Sequence, residues 1–129
     1  MRALIIRDPW IDKILAGRKT WEMRKSACHV RGRIGLIRKS SDHVVGTVDL
    51  VDCEPMLSTR KQYAAAERYH RIRAADQAEA FADGYLVPWV LANARPLARP
   101  VPYEHRTGAV IWVNLNSRVT KRVNSQVRG

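Results

Sequence analysis

Gly17-Arg18-Lys19-Thr20-Trp21-Glu22-Met23-Arg24 puts an amine, a hydroxyl, a carboxylate and a guanidinium within eight residues. In an extended segment alternate side chains share a face, so Thr20, Glu22 and Arg24 project together, opposite Trp21 and Met23. Two chemistries fit that row. In a binding pocket, Lys19 at the lip is a point charge for phosphate and Arg24 holds Glu22. Glu22 then accepts from a base amino group or a ribose hydroxyl. In an enzyme, the Lys19 amine with Glu22 beside it reacts only when neutral, although the unperturbed pKa is about 10.4. Burial and the cations Arg18 and Arg24 would lower it, whereas Glu22 stabilises the ammonium and opposes the change. The structural alternative is a plain Glu22–Arg24 ion pair with Lys19 in solvent.

Among the tryptophans, Trp21 shares the apolar face with Met23, and Trp112 lies inside an apolar run; both read as core. Trp10 and Trp89 stand at element starts, where a ring can border a cleft and stack on a base. The binding set is therefore Trp10, Arg18, Lys19, Thr20, Glu22, Arg24 and Trp89. His29, His43, His70 and His105 have no partner at a telling spacing and read as surface or loop residues. Cys28, His29, His43 and Cys53 lack metal-ligand spacing, so neither a metal nor another cofactor is expected. The two cysteines are expected as reduced thiols.

Charge points to the class of partner. The chain of 129 residues carries 23 Lys and Arg against 12 Asp and Glu, a net charge of +11. Between Arg18 and Lys39, eight cations face one acid, Glu22, and the last fourteen residues add Arg118, Lys121, Arg122 and Arg128 with no acid. Clustering of this kind marks a polyanion footprint more than a uniform solubilising coat. No run approaches the roughly 20 apolar residues that span a bilayer, and the N-terminal apolar stretch is too short for a secretory segment. The expected location is cytoplasmic, with no membrane contact.

The elements that must position these residues follow from periodicity. Arg2–Arg7 reads as a buried strand, and Asp8-Pro9 as the start of a helix carrying Trp10, Ile11, Ile14 and Leu15 to a left-handed stop at Gly17. Thr20–Arg24, Arg33–Ile37 and Val44–Val51 are further strands, with Ser40-Ser41-Asp42 a turn. Ser58 or Thr59 caps a helical run through Tyr63, Ala66, Tyr69, His70 and Arg73, and a second helical piece covers Ala75–Phe81. A strand begins near Pro88, and Ala109–Leu115 is the clearest strand in the chain. Ser117–Gly129 shows little apolar periodicity and is expected as a mobile basic tail. Strands, a helical insertion, then strands again give an α+β fold, a small mixed β-barrel flanked by helices.

The segment Ile14–Arg24 resembles the G-x-K-x-x-E-x-R signature of ASCH domains, members of the PUA-like superfamily. Pro9-Trp10 upstream, with Trp89-Val90-Leu91 and Pro100-Val101-Pro102 downstream, is similar to that family as well. The resemblance implies a PUA-like barrel over residues 1–116, with 117–129 as a flexible appendage. It also implies a cleft between barrel and helices, and a role in binding RNA or modified nucleosides. Some ASCH proteins are amidohydrolases that deacetylate acetylcytidine, with the lysine matching Lys19 as nucleophile; they carry threonine where this chain has Glu22. Another is described as a ribonuclease.

Three functions follow as expectations. First comes a module binding nucleic acid (RNA before DNA) or a modified nucleotide through a basic pocket at Lys19, Glu22 and Arg24. The alternative is a small hydrolase, either an amidohydrolase on acylated nucleosides or a metal-independent ribonuclease. The third is a scaffold for a protein partner.

Overall fold

A computed structural model describes residues 1–127. Six strands form one mixed sheet in the order β2-β5-β4-β3-β1-β6, curled as a half-barrel. They are β1 (Arg2–Ile6), β2 (Trp21–Arg24), β3 (Gly32–Arg38), β4 (His43–Cys53), β5 (Val87–Pro102) and β6 (Trp112–Asn114). Helix α1 (Trp10–Leu15) follows β1. Helices α2 (Arg60–Ala65), α3 (Glu67–His70) and α4 (Ala74–Ala82) lie between β4 and β5, and α5 (Ser117–Gln126) ends the fold. β1 pairs parallel to β3, and the other neighbours are antiparallel.

The sheet is covered on both faces, which is why β1 is apolar at consecutive positions. Leu4 and Ile6 join Ile11 and Ile14 of α1 in one core, while Ala3 and Ile5 join Val119 and Val123 of α5 in another. A third, smaller cluster of Met23, Tyr63 and Ile72 fastens the helical insertion to β2. Thr59 caps α2 in a reciprocal box with Gln62, as its sequence predicts. Gly17 takes the left-handed φ of 77° that stops α1.

Three expectations about elements are corrected. Asp8 does not cap α1; its carboxylate pairs with Arg38, which also grips Asp12. The strand expected over Ala109–Leu115 shrinks to β6; ahead of it Val110 and Ile111 stand 74% and 43% exposed, and the Ile111 carbonyl accepts from the Ile5 N–H at 2.9 Å. The segment expected as a mobile tail is helix α5, capped by the Asn116 side chain, which accepts from the Val119 N–H. Val119, Val123 and Val127 recur every four residues and close the core over β5 and β6. Gly129 and Arg128 lie outside the described residues.

This predicts a large cost for truncation. Burying three valines is worth about 4 kcal/mol in total, so a chain ending at Asn116 should lose about that much stability in urea unfolding. An unchanged midpoint and slope would show that α5 does not belong to the cooperative fold.

Candidate functional site

Lys19 owes its position to the end of α1. After the Gly17 turn, the Lys19 N–H donates to the Lys13 carbonyl at 3.1 Å, and the side chain turns inward to 2% exposure. There its Nζ donates to the His70 carbonyl at 2.6 Å and stands 5.0 Å from the centroid of the Trp10 ring. His70 ends α3, and helix C-termini leave carbonyls without intrahelical partners. The lysine supplies the missing donor and is itself pinned.

Glu22 and Arg24 project from the same face of β2. Arg24 donates from Nε and Nη2 to one carboxylate oxygen, Oε2, at 3.1 and 2.8 Å, and Nη2 also reaches the Ile5 carbonyl at 3.1 Å. The other oxygen, Oε1, is 3.8 Å from Lys19 Nζ. That is too long for a direct hydrogen bond. Among the described residues, Oε1 is the carboxylate oxygen without a hydrogen-bonded partner.

Burial sets the electrostatics. It pushes the Lys19 amine down to about 8, helped by Lys13 and Arg24 and opposed by Glu22. Arg18, expected to contribute, is exposed and plays no such part. His70 is buried as well, and burial with the nearby Lys19 lowers its pKa. Its Nδ1 accepts from the Ile72 N–H at 2.9 Å, so Nε2 carries the proton toward the Tyr63 carbonyl at 2.7 Å. The Tyr63 phenol is pushed up to about 12, first by burial and then by Glu22.

A cavity of about 530 Å³ lies between the sheet and the helical insertion, with His70 and Tyr63 outside its lining. Of the residues proposed for a site from the sequence, Lys19, Glu22, Arg24 and Trp10 all line it. Arg18, Thr20 and Trp89 do not. Thr20 spends its backbone N–H on the Tyr69 carbonyl and its own carbonyl on the Leu91 N–H. Trp89 is 4% exposed, stacked on Trp112 with its indole N–H given to the Ser26 carbonyl at 2.8 Å. Pro88-Trp89 sits within β5 beside β2, so the ring enters the core rather than a cleft. Trp21, expected in the core, is half-buried and stacks on Tyr69.

The wall composition also revises the picture of a basic pocket. Asp76 and Glu79 of α4 and Asp83 just past its end line the cavity with Glu22, against Arg7, Lys19, Arg24 and Lys39. Tyr85 adds a ring at the rim, with Lys25 Nζ 5.1 Å from its centroid. His70, Tyr85 and the α4 acids escape sequence reasoning because no short spacing links them to Lys19; His70 is 51 positions away. Among the described residues no three His, Cys, Asp or Glu side chains gather as a metal set, and both cysteines are free thiols.

A half-barrel whose first helix and second strand present Lys19, Glu22 and Arg24 to a cleft under a helical insertion defines a PUA-like domain. The ASCH domain family matches residues 4–101, and the chain belongs to that family. Its fold is similar to the crystal structure of ASCH from Zymomonas mobilis, with a TM-score of 0.75 and 15% identity over 96% of this chain and 93% of that one. Two point variants of the same Zymomonas mobilis protein give TM-scores of 0.74 and 0.73, each at 15% identity. At that identity the likeness speaks for the fold alone. No curated protein matches the sequence. No helix among the described residues is long and apolar enough to cross a membrane.

Proposed function

We propose that the cavity seats one nucleobase, free in a nucleoside or as part of an RNA strand. The observation that carries this reading is the Glu22 carboxylate. It is buried, and Arg24 fixes it through Oε2, while Oε1 stands 3.8 Å from a pinned amine. A carboxylate held that way accepts from a base amino or imino group, and Lys19 donates to the adjoining carbonyl or ring nitrogen. Trp10 and Tyr85 line the cavity beside lysine ammonium groups, and a base that displaces one of these to stack on a ring gains roughly 1–3 kcal/mol. The volume of about 530 Å³ fits a small ligand. The balanced charge of the walls favours a neutral base over a bare phosphate at the floor.

Calorimetric titration with the four ribonucleosides and with acetylcytidine tests this reading. At least one should bind saturably, and its 2′-deoxy analogue should bind less tightly if the ribose hydroxyl is read. Absence of binding by all five at millimolar concentration would refute it.

One observation favours hydrolysis as a second reading. Burial pushes the Lys19 amine down to about 8, so more of it is neutral near pH 7 than for a solvated lysine. A neutral buried amine can attack the acetyl carbon of acetylcytidine and break its bond to the exocyclic nitrogen, which leaves as the cytidine amine after taking the proton from the attacking nitrogen. The acetyl group then passes to water as acetate. Incubation with acetylcytidine and with labelled single-stranded RNA decides it. Turnover that disappears in Lys19→Ala makes Lys19 catalytic, and rates at background in both proteins restrict the site to binding.

A further inference from the structure

A second cavity of about 260 Å³ adjoins the first, and the two share Ile5, Lys39 and Val110 as lining. It is smaller than the roughly 300–1,000 Å³ typical of whole-ligand pockets, so it suits a fragment of a ligand. Tyr103 and His105 line it, with the Tyr103 hydroxyl and His105 Nδ1 2.8 Å apart and the two rings edge to face. The shared lip is built from both strand ends. The Lys39 N–H donates to the Ile6 carbonyl and the Ile5 N–H to the Ile111 carbonyl, each at 2.9 Å. These bonds set the exposed side chains of Lys39 and Val110 at the junction.

Charge gives the pair of cavities a direction. On the α4 wall of the first cavity stand Asp76, Glu79 and Asp83, which repel phosphate. On the wall formed by the ends of β1 and β3 stand Arg7 and Lys39, which attract it. A phosphate leaving the first cavity is therefore drawn away from the helices onto Arg7 and Lys39, at the lip of the second cavity, whose own lining carries one acid, Asp42.

We propose that the second cavity receives the nucleotide next to the one seated against Glu22, with the bridging phosphate on Lys39 and Arg7. The full ligand is then an oligonucleotide of at least two units, and Val110 and Tyr103 supply the apolar and aromatic contact for the second base. This rests on the reading of the first cavity as a base site, and the experiment separates the two.

For each of the four bases, the nucleoside, its 3′- and 5′-monophosphates and its homodinucleotide are titrated into wild type and Lys39→Ala. The dinucleotide should bind at least tenfold tighter than the nucleoside and tighter than either monophosphate. Its affinity should fall with salt with a slope of roughly −0.7 per phosphate contact. Lys39→Ala, at a residue shared by both cavities, should remove most of the dinucleotide gain, so that dinucleotide and nucleoside affinities converge in the variant. A nucleoside that binds without further gain in the dinucleotide overturns the second subsite and spares the first. A monophosphate that gains as much as the dinucleotide assigns the effect to phosphate alone and also overturns it. Absence of binding by nucleosides and dinucleotides alike overturns both.

Discussion

Glu22→Gln should cost the domain about 3 kcal/mol of stability and weaken nucleoside binding about a hundredfold. The stability loss follows from the surroundings of the carboxylate. Its side chain is 9% exposed and lies between Arg24, at 2.8 Å, and Lys19, at 3.8 Å. Breaking a buried ion set by removing one partner typically costs 3–5 kcal/mol, because the remaining charges stay desolvated. Lys19 softens the cost, since with its pKa near 8 it can shed its proton. Arg24 has no such escape and, besides the Ile5 carbonyl, keeps only a neutral amide oxygen in place of the carboxylate. The amide also presents an N–H₂ group that has to be accommodated among donors. The binding loss reflects a charge-assisted hydrogen bond of about 1.5–3 kcal/mol. Thermal unfolding and calorimetry read the two effects separately. The same variant discriminates between binding and catalysis: Glu22 raises the Lys19 pKa, so any lysine-dependent turnover should move its pH profile to lower pH in Glu22→Gln.

The second large effect lies in the pH dependence of folding. Lys19 has a folded pKa of about 8 against 10.5 for the ordinary side chain. Between those values the unfolded chain binds the proton and the folded chain does not, so stability rises with pH. At about 1.36 kcal/mol per pKa unit the gain is roughly 2–3 kcal/mol between pH 7 and 10. Tyr63 acts with the opposite sign. Its phenol is held up to about 12, so stability falls once the unfolded tyrosine ionises near 10. The window for Lys19 is therefore pH 8 to 10. In Lys19→Met the rise across that window should vanish while the decline above pH 10 remains. Urea unfolding at a series of pH values measures both, and a rise of equal size in the variant would place the titrating group elsewhere.

Local geometry was legible in the sequence wherever neighbouring residues decide it. Strand alternation put Glu22 and Arg24 on one face, and the Gly17 stop brought Lys19 beside them, although the structure buries that amine where its sequence position suggested a lip. The ASCH resemblance agrees with the family match over residues 4–101. The α+β half-barrel and its covering helices followed from strands flanking a helical insertion. What sequence reasoning missed depends on contacts between distant segments. The carbonyl that pins Lys19 comes from His70, and the acids of the cavity come from α4. Helix α5 was hidden because its apolar stripe is a single line of valines, Val119, Val123 and Val127, among cations. Val110 and Ile111 read as strand because an apolar run looks alike whether it enters a sheet or forms a lip. The clustered charge marked a footprint, yet only part of it faces the cavity, which carries acids of its own.

The central claim is that ligand enters the cavity at Lys19 and Glu22 rather than spreading over the basic surface. Side-chain NMR of the lysine amino groups during titration with the tightest-binding ribonucleoside tests it most directly. The Lys19 signal should move saturably with the calorimetric affinity, and its pKa should shift from about 8. A ligand that shifts exposed lysines such as Lys25 and Lys121 while leaving Lys19 and its pKa untouched would contradict the account.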